Sequence, residues 1–306
     1  MVRECLRVKP GEELLVVCDP GTRALAERLR EEGERAGADA VLVLMTERAT
    51  SGTEPPAAIA AAMASADAVL APTTQSLSHT AARKAATDAG VRIATLPGVT
   101  EELLARVMSA DMEGLRRKGR AVADALSVGT EARITSDAGS DLRMSLEGRT
   151  AIPDAGELGP PGAFGNLPCG EGFIAPVEGT AEGTLVVDGS IAAIGKVSES
   201  VTLRVEGGHL VEAFGEEGAA FMKILEAAGP EGTNVAELGI GTNEKATLTG
   251  NVIEDEKLLG TAHVAFGASA AIGGTVQVPI HLDCVVLRPT VEIDGRAVVR
   301  QGELVV

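Results

Sequence analysis

The chain has 306 residues, 45% of them hydrophobic, and a formal net charge of -17, an ordinary globular composition with room for two domains. Nucleic-acid phosphates need clustered Lys and Arg, so a sequence this acidic excludes duplex DNA or RNA as an expected partner. No run approaches 18 uninterrupted apolar residues, and Met1-Val2-Arg3-Glu4-Cys5 carries no apolar signal core. Neither a membrane span nor export is therefore expected, and the cytoplasm is the expected compartment.

Residues 1–127 alternate between strand and helix signals. A short apolar strand over 13–18 is ended by Asp19-Pro20-Gly21, and the helix that follows carries Leu25 and Leu29 on one stripe. A second strand is expected over 40–45, an Ala-rich helix over 57–66 and a third strand over 68–70. A helix over 80–89 is closed by Gly90, and a fourth strand runs over 91–94. This rhythm predicts an α/β domain with an open parallel sheet. No GxGxxG follows the first strand, so a dinucleotide site is unsupported. The basic cluster Arg116-Arg117-Lys118-Gly119-Arg120 reads as the solvated face of a helix.

After residue 128 glycine becomes frequent and short β-branched runs replace long helices. Strands are expected over 184–187, 201–205, 275–278 and 291–293, with one helix over 216–228 closed by Gly229-Pro230. Residues 128–306 thus read as a β-rich α+β domain. Cys5, Cys18, Cys169 and Cys284 form no CxxC pair, so neither a zinc knuckle nor a disulfide framework is suggested. Tyr and Trp are absent, which excludes any mechanism that needs a phenol.

The chemistry concentrates in the second half. His281-Leu282-Asp283 lies in the apolar run 276–287, which reads as a strand. Residues i and i+2 of a strand share a face, so an imidazole and a carboxylate project side by side. Two more segments place a carboxylate in glycine-dense backbone: 166–173, with Glu171, and 236–243, with Glu237. His263 lies in a further apolar strand. Two His with carboxylates suit Zn, Co, Mn or Fe, and two extra Glu allow a second ion. Paired metals roughly 3.5–4 Å apart can clamp a carbonyl and activate water. His79 follows a parallel strand, where ligands of open α/β sheets bind, and is a candidate substrate contact. His209 reads as a hairpin turn residue. Cys284 is expected to point away from Asp283 and to be buried, and Cys169 adjoins a candidate ligand.

The stretches NLPCGEGFIAP (166–176), AELGIGTN (236–243), DEKLLGTAHVAFG (255–267) and PIHLD (279–283) resemble, in the same order, the metallo-aminopeptidases of the aminopeptidase T/aminopeptidase S type. That resemblance implies a dinuclear site for Zn, Co or Mn held by Glu171, Glu237, His263, His281 and Asp283. It implies metal-activated water that hydrolyses a short peptide or small amide, and a homodimer. The family's tyrosine, several residues past the first histidine, is missing: Ala268, Ser269, Ala270 and Ala271 fill that stretch. The chain also resembles the 2,5-dihydroxypyridine dioxygenases of the same superfamily, which hold one ferrous ion with two His and one Asp. His281 and Asp283 fit that pattern, but the subfamily has a histidine in the region of Glu237 and lacks the Glu171 carboxylate. Retention of both Glu favours the metallohydrolase reading over the dioxygenase, with a catalytically inactive metal-binding homologue as a third reading.

Overall fold

The computed structural model describes residues 1–306. The chain divides into two compact units. One comprises Met1–Ser109 with Gly156–Cys169, the other Ala110–Ala155 with Gly170–Val306.

The first unit carries a five-stranded parallel sheet in the order Asp39–Leu44, Glu13–Cys18, Ala68–Ala71, Arg92–Thr95, Phe164–Asn166. Two of its inner strands, over 14–18 and Ala68–Ala71, are buried and continuously apolar, as parallel strands covered on both faces are. Four helices, Arg23–Ala36, Ala57–Ser65, Ala81–Asp88 and Glu101–Val107, alternate with the first four strands. Local chemistry sets their ends. The Thr80 and Thr100 hydroxyls accept from the Arg83 and Leu103 amides at the N-termini, and Gly37 closes the first helix in the left-handed conformation. The four expected strands are all present. The fifth, Phe164–Asn166, is a three-residue segment without a β-branched side chain, and nothing in its pattern marks it as a strand.

The second unit begins with the helix Met112–Val128, N-capped by the Asp111 carboxylate. A domain boundary between 127 and 128 gives this helix to the first half. Its apolar stripe, Val122, Ala123 and Leu126, instead enters the core of the second unit beside Ile134 and Ile174. The unit contains an antiparallel eight-stranded sheet and an antiparallel seven-stranded sheet, so the expected β-rich α+β architecture holds. The seven-stranded sheet runs in the order Gly195–Lys196, Ser190–Ile191, His281–Val286, Ala262–Gly267, Val235–Gly241, Glu171–Ile174, Ile152–Asp154.

One apolar cluster joins side chains from both sheets. Leu142, Leu185 and Leu203 of the larger meet Ile174, Leu238, Ile240, Val264, Phe266, Cys284 and Val286 of the smaller. The helix Gly215–Ala227 adds Phe221, whose ring stands edge-on to Phe266 at 5.9 Å. Each large apolar side chain buried here contributes about 1.5–3 kcal/mol. Side chains alternate across a strand, so the opposite face of the smaller sheet is where Glu171, Glu237, His263, His281 and Asp283 emerge.

Two strand expectations change. Residues 275–278 form no strand, and the run 276–287 is a strand only over His281–Val286. The reason is local. The Thr275 amide donates to Glu178 Oε1 at 2.7 Å and the Val276 amide to Ser269 Oγ at 3.2 Å, so side chains take the donors that a ladder would use. Pro279, which has no amide hydrogen, follows.

Candidate metal centre

Cross-strand register assembles the centre. Glu237 pairs with Ala265, and Ala265 with Asp283; Gly239 pairs with His263, and Gly267 with His281. On the other side Gly241 pairs with Glu171, and Glu171 with Asp154. Small residues therefore stand opposite the polar ones in neighbouring rows. Gly239 shows why. A Cβ built on it would lie 1.9 Å from His263 Nε2, so only glycine lets this ring lie across the neighbouring strand. Gly239→Ala should displace the imidazole and destabilise the unit by about 1–3 kcal/mol. Urea unfolding with a parallel Mn(II) titration checks both effects, and an unchanged transition would show that the ring has room to move.

A β-bulge aims Glu237. The register shifts between Val235 and Glu237, so Val235 and Leu238 both enter the core while Glu237 turns to the opposite face. Strict alternation would put Val235 and Glu237 on one side; the inserted residue re-aims the carboxylate.

The five residues singled out from the sequence come together as two groups that share Glu237. Glu171, Glu237 and His263 form one, Glu237, His281 and Asp283 the other, each with one ligand atom per residue and all within 4.8 Å of one another. His263 Nε2 lies 3.2 Å from Glu237 Oε1 and 3.1 Å from Glu171 Oε2. His281 Nε2 lies 3.4 Å from Glu237 Oε2 and 3.8 Å from Asp283 Oδ1. His281 Nδ1 donates to the Ala268 carbonyl at 2.7 Å. The second group is the more open: the His281 side chain is 19% exposed and that of His263 fully buried.

Three residues of the centre escaped the sequence reading: Lys257, Glu256 and Asp154. Lys257 is buried and its ammonium bonds Glu171 Oε1 and, at 2.7 Å, Glu256 Oε1, with Asp154 Oδ2 at 3.5 Å. The loop that delivers Lys257 is pinned by two buried carboxylates. Glu254 accepts from the Thr247 amide at 2.8 Å and Asp255 from the Thr249 amide at 2.7 Å. The available signal was the run Glu254-Asp255-Glu256-Lys257 between apolar residues, which reads as a surface turn unless its burial is known.

Electrostatics bind the cluster together. Burial pushes Asp154 up to about 7 and Glu256 up to about 8, against the pull of Lys257. Burial also acts upward on Glu237, but hydrogen bonds from His263 and His281 hold it well below the usual carboxylate range. Burial alone would lower the imidazoles; the facing carboxylates reverse this, raising His281 to about 10 and His263 well above its ordinary value.

The other candidates lie elsewhere. His79 is exposed in a turn of the first unit, ahead of the helix Ala81–Asp88. His209 opens the strand His209–Ala213 and contacts Thr233 Oγ1 at 3.2 Å. Cys284 faces the apolar core, as alternation requires, and Cys169 is buried. No helix is long and apolar enough to cross a membrane.

The profile of the 2,5-dihydroxypyridine 5,6-dioxygenase (NicX) family matches residues 2–306. The chain belongs to this family. A curated 2,5-dihydroxypyridine 5,6-dioxygenase from Pseudomonas putida KT2440 is 28% identical over 218 residues, a match that takes in 67% of this chain and 62% of the relative. The solved structure of 2,5-dihydroxypyridine dioxygenase from Pseudomonas putida KT2440 superposes with a TM-score of 0.85 at 24% identity, covering 99% of this chain and 94% of that one. Wild-type AmpT from Thermus thermophilus superposes with 0.73 at 19% identity, covering 99% and 96%. Both structures share the fold. The family match overturns the metallohydrolase expectation: the chain groups with a dioxygenase family and not with hydrolases or metalloproteases. The aminopeptidase T-like motifs lie on a sheet of that shared fold, so motif resemblance alone could not separate the two activities.

Proposed function

We propose that the chain is a metal-dependent, ring-cleaving dioxygenase acting on 2,5-dihydroxypyridine or a closely similar dihydroxylated nitrogen heterocycle, with ferrous iron held by Glu237, His281 and Asp283. The family match over residues 2–306 carries this reading. The donor set departs from the two His and one Asp of the resemblance, with Glu237 where a histidine is expected, but one imidazole and two carboxylates still suit a divalent first-row ion. With His281 neutral, these donors bring two negative charges to a divalent cation. The Ala268 carbonyl fixes the tautomer of His281 by taking its Nδ1 proton, which leaves Nε2 facing the carboxylates.

Bound there, ferrous iron would supply the redox chemistry that lets dioxygen react with an electron-rich ring. The protein's own part is positional. Asp283 and His281 are more exposed than His263, so the open group is the side from which a planar substrate approaches. Ala265 lies between Glu237 and Asp283 in the register and Gly267 opposite His281, so no bulky side chain stands between the donors in these rows. The buried acids and Lys257 lie behind them and hold Glu171 in place.

The test is oxygen uptake. Protein reconstituted anaerobically with Fe(II) should consume oxygen and 2,5-dihydroxypyridine in a ratio of about one to one, as insertion of both oxygen atoms requires. Absence of uptake by iron-loaded protein would reject the reading.

Metal affinity should also depend on pH. In the metal-free protein the His281 imidazole keeps its proton up to about 10, and an ion must displace that proton to bind. Affinity therefore rises with pH, by about tenfold per unit for each proton released, and falls in acid. Mn(II) titrations between pH 6 and 9 check the slope, and a flat profile would mean that no such proton is displaced.

A further inference from the structure

The ring of His281 is held by one backbone oxygen. Its Nδ1 lies 2.7 Å from the Ala268 carbonyl. A carbonyl oxygen only accepts, so Nδ1 carries a proton whatever the charge of the ring, and Nε2 is left facing Glu237 and Asp283. Ala268 opens the loop 268–280, which joins the strands Ala262–Gly267 and His281–Val286. The Ala268 amide closes the base of this loop by donating to the Ile280 carbonyl at 2.8 Å. The Ser269 amide donates to the Val276 carbonyl at 3.0 Å.

Two distant side chains tie the loop down. Glu178, in the turn after the strand Glu171–Ile174, reaches into it. Its Oε1 accepts from the Ser269 hydroxyl at 3.1 Å and from the Thr275 amide at 2.7 Å. Ser269 Oγ accepts in turn from the Val276 amide at 3.2 Å. The Arg149 guanidinium bridges Glu178 Oε2 and the Gly273 carbonyl. Ser269 is 1% exposed, and the Arg149 and Glu178 side chains are 15% and 22% exposed. This shielding separates the arrangement from a solvated surface pair, which holds little in place. Gly274 shows how tightly the parts fit. Its backbone is not left-handed, yet a Cβ built on it would lie 2.1 Å from Ser269 Oγ and 2.8 Å from Glu178 Oε1.

We propose that Arg149, Glu178 and Ser269 are positioning residues for His281. They act through a single peptide unit. The Ala268 carbonyl and the Ser269 amide share one plane, so fixing Ser269 fixes the acceptor of the His281 proton. None of the three belongs to the donor set. Their effect on metal rests on the reading of His281 as a ligand; their effect on the ring does not.

Two measurements on the full chain test the proposal. The first needs no metal: exchange of the His281 Nδ1 proton with water, followed by proton NMR and assigned by its loss in His281→Gln. The second is Mn(II) affinity. Ser269→Ala and Glu178→Ala should each speed the exchange at least about tenfold. Each should also weaken Mn(II) binding by about tenfold or more. Glu178→Gln keeps an acceptor for the Ser269 hydroxyl and the Thr275 amide, and should return both readouts to within about threefold of wild type. Should Glu178→Ala fail to fold, the smaller change Ser269→Ala decides. A purely structural clamp would lower the urea midpoint of the Ala variants and leave the exchange rate at its wild-type value; that result overturns the proposal. An equal loss in Glu178→Gln and Glu178→Ala also overturns it. Faster exchange with unchanged Mn(II) affinity would uphold the clamp on the ring and reject His281 as a ligand.

Discussion

Lys257→Met should destabilise the second unit by about 3–5 kcal/mol, the usual cost of removing one partner of a buried ion pair. The Lys257 side chain is 1% exposed and is the cation among Glu171, Glu256 and Asp154. Methionine matches much of its volume, so the loss reports charge more than packing. The loss should also grow with pH. Asp154 and Glu256 titrate at about 7 and about 8 in the fold, above the roughly 4 of an unfolded carboxylate. The folded state therefore binds more protons than the unfolded one over that window, and stability declines as pH rises from about 4 to 8. Without the ammonium, deprotonation of these acids is harder still, so the variant should be closest to wild type near pH 5 and furthest from it near pH 9. Urea unfolding at both values measures the difference. An equal loss at the two pH values would assign Lys257 a packing role only.

Glu237→Ala should abolish tight metal binding, weakening it by roughly a hundredfold or more, beyond the range expected for an outer-shell partner. Glu237 is the residue common to both candidate groups, and hydrogen bonds from both imidazoles end on it. In the metal-free variant His281 loses its chief raising contact, so its titration should move down from about 10 toward the ordinary imidazole range. Elemental analysis and proton NMR of the imidazoles give the two readouts. Wild-type metal content in the variant would exclude Glu237 from the ligands, and an unmoved His281 titration would show that Asp283 alone sustains it.

The legible parts of the chain are those written in local pattern. The first four parallel strands and the main helices follow from apolar runs, turn residues and caps within a few positions. His281 and Asp283 could be placed on one face because strand alternation is a local rule, and Cys284 could be placed in the core by the same rule. Other features depend on partners distant in sequence. The strand Phe164–Asn166 exists because Arg92–Thr95 offers it an edge, not because its own residues favour extension. The helix Met112–Val128 joins the second unit because the apolar surface that accepts it lies there. Residues 275–278 look like a strand until Glu178, nearly a hundred positions earlier, claims the Thr275 amide.

Activity followed the same division. Motif resemblance favoured a hydrolase, because short matches around Glu171, Glu237, His263 and His281 lie on a sheet of a fold shared by both kinds of enzyme. Similarity over the whole chain placed it with the dioxygenases.

By itself the sequence determined which side chains could form a metal centre, since only four histidines are present and two of them lie in apolar strands, one of them two positions from Asp283. The tertiary structure decided how these residues meet. A bulge at Ala236 turned Glu237 out of the core, Gly239 made room for the His263 ring, and a buried loop brought Lys257 onto Glu171. Pattern along a chain fixes which face a residue takes. Register, bulges and the burial of a charge are set by contacts between segments far apart in sequence, and these form only when the sheet closes.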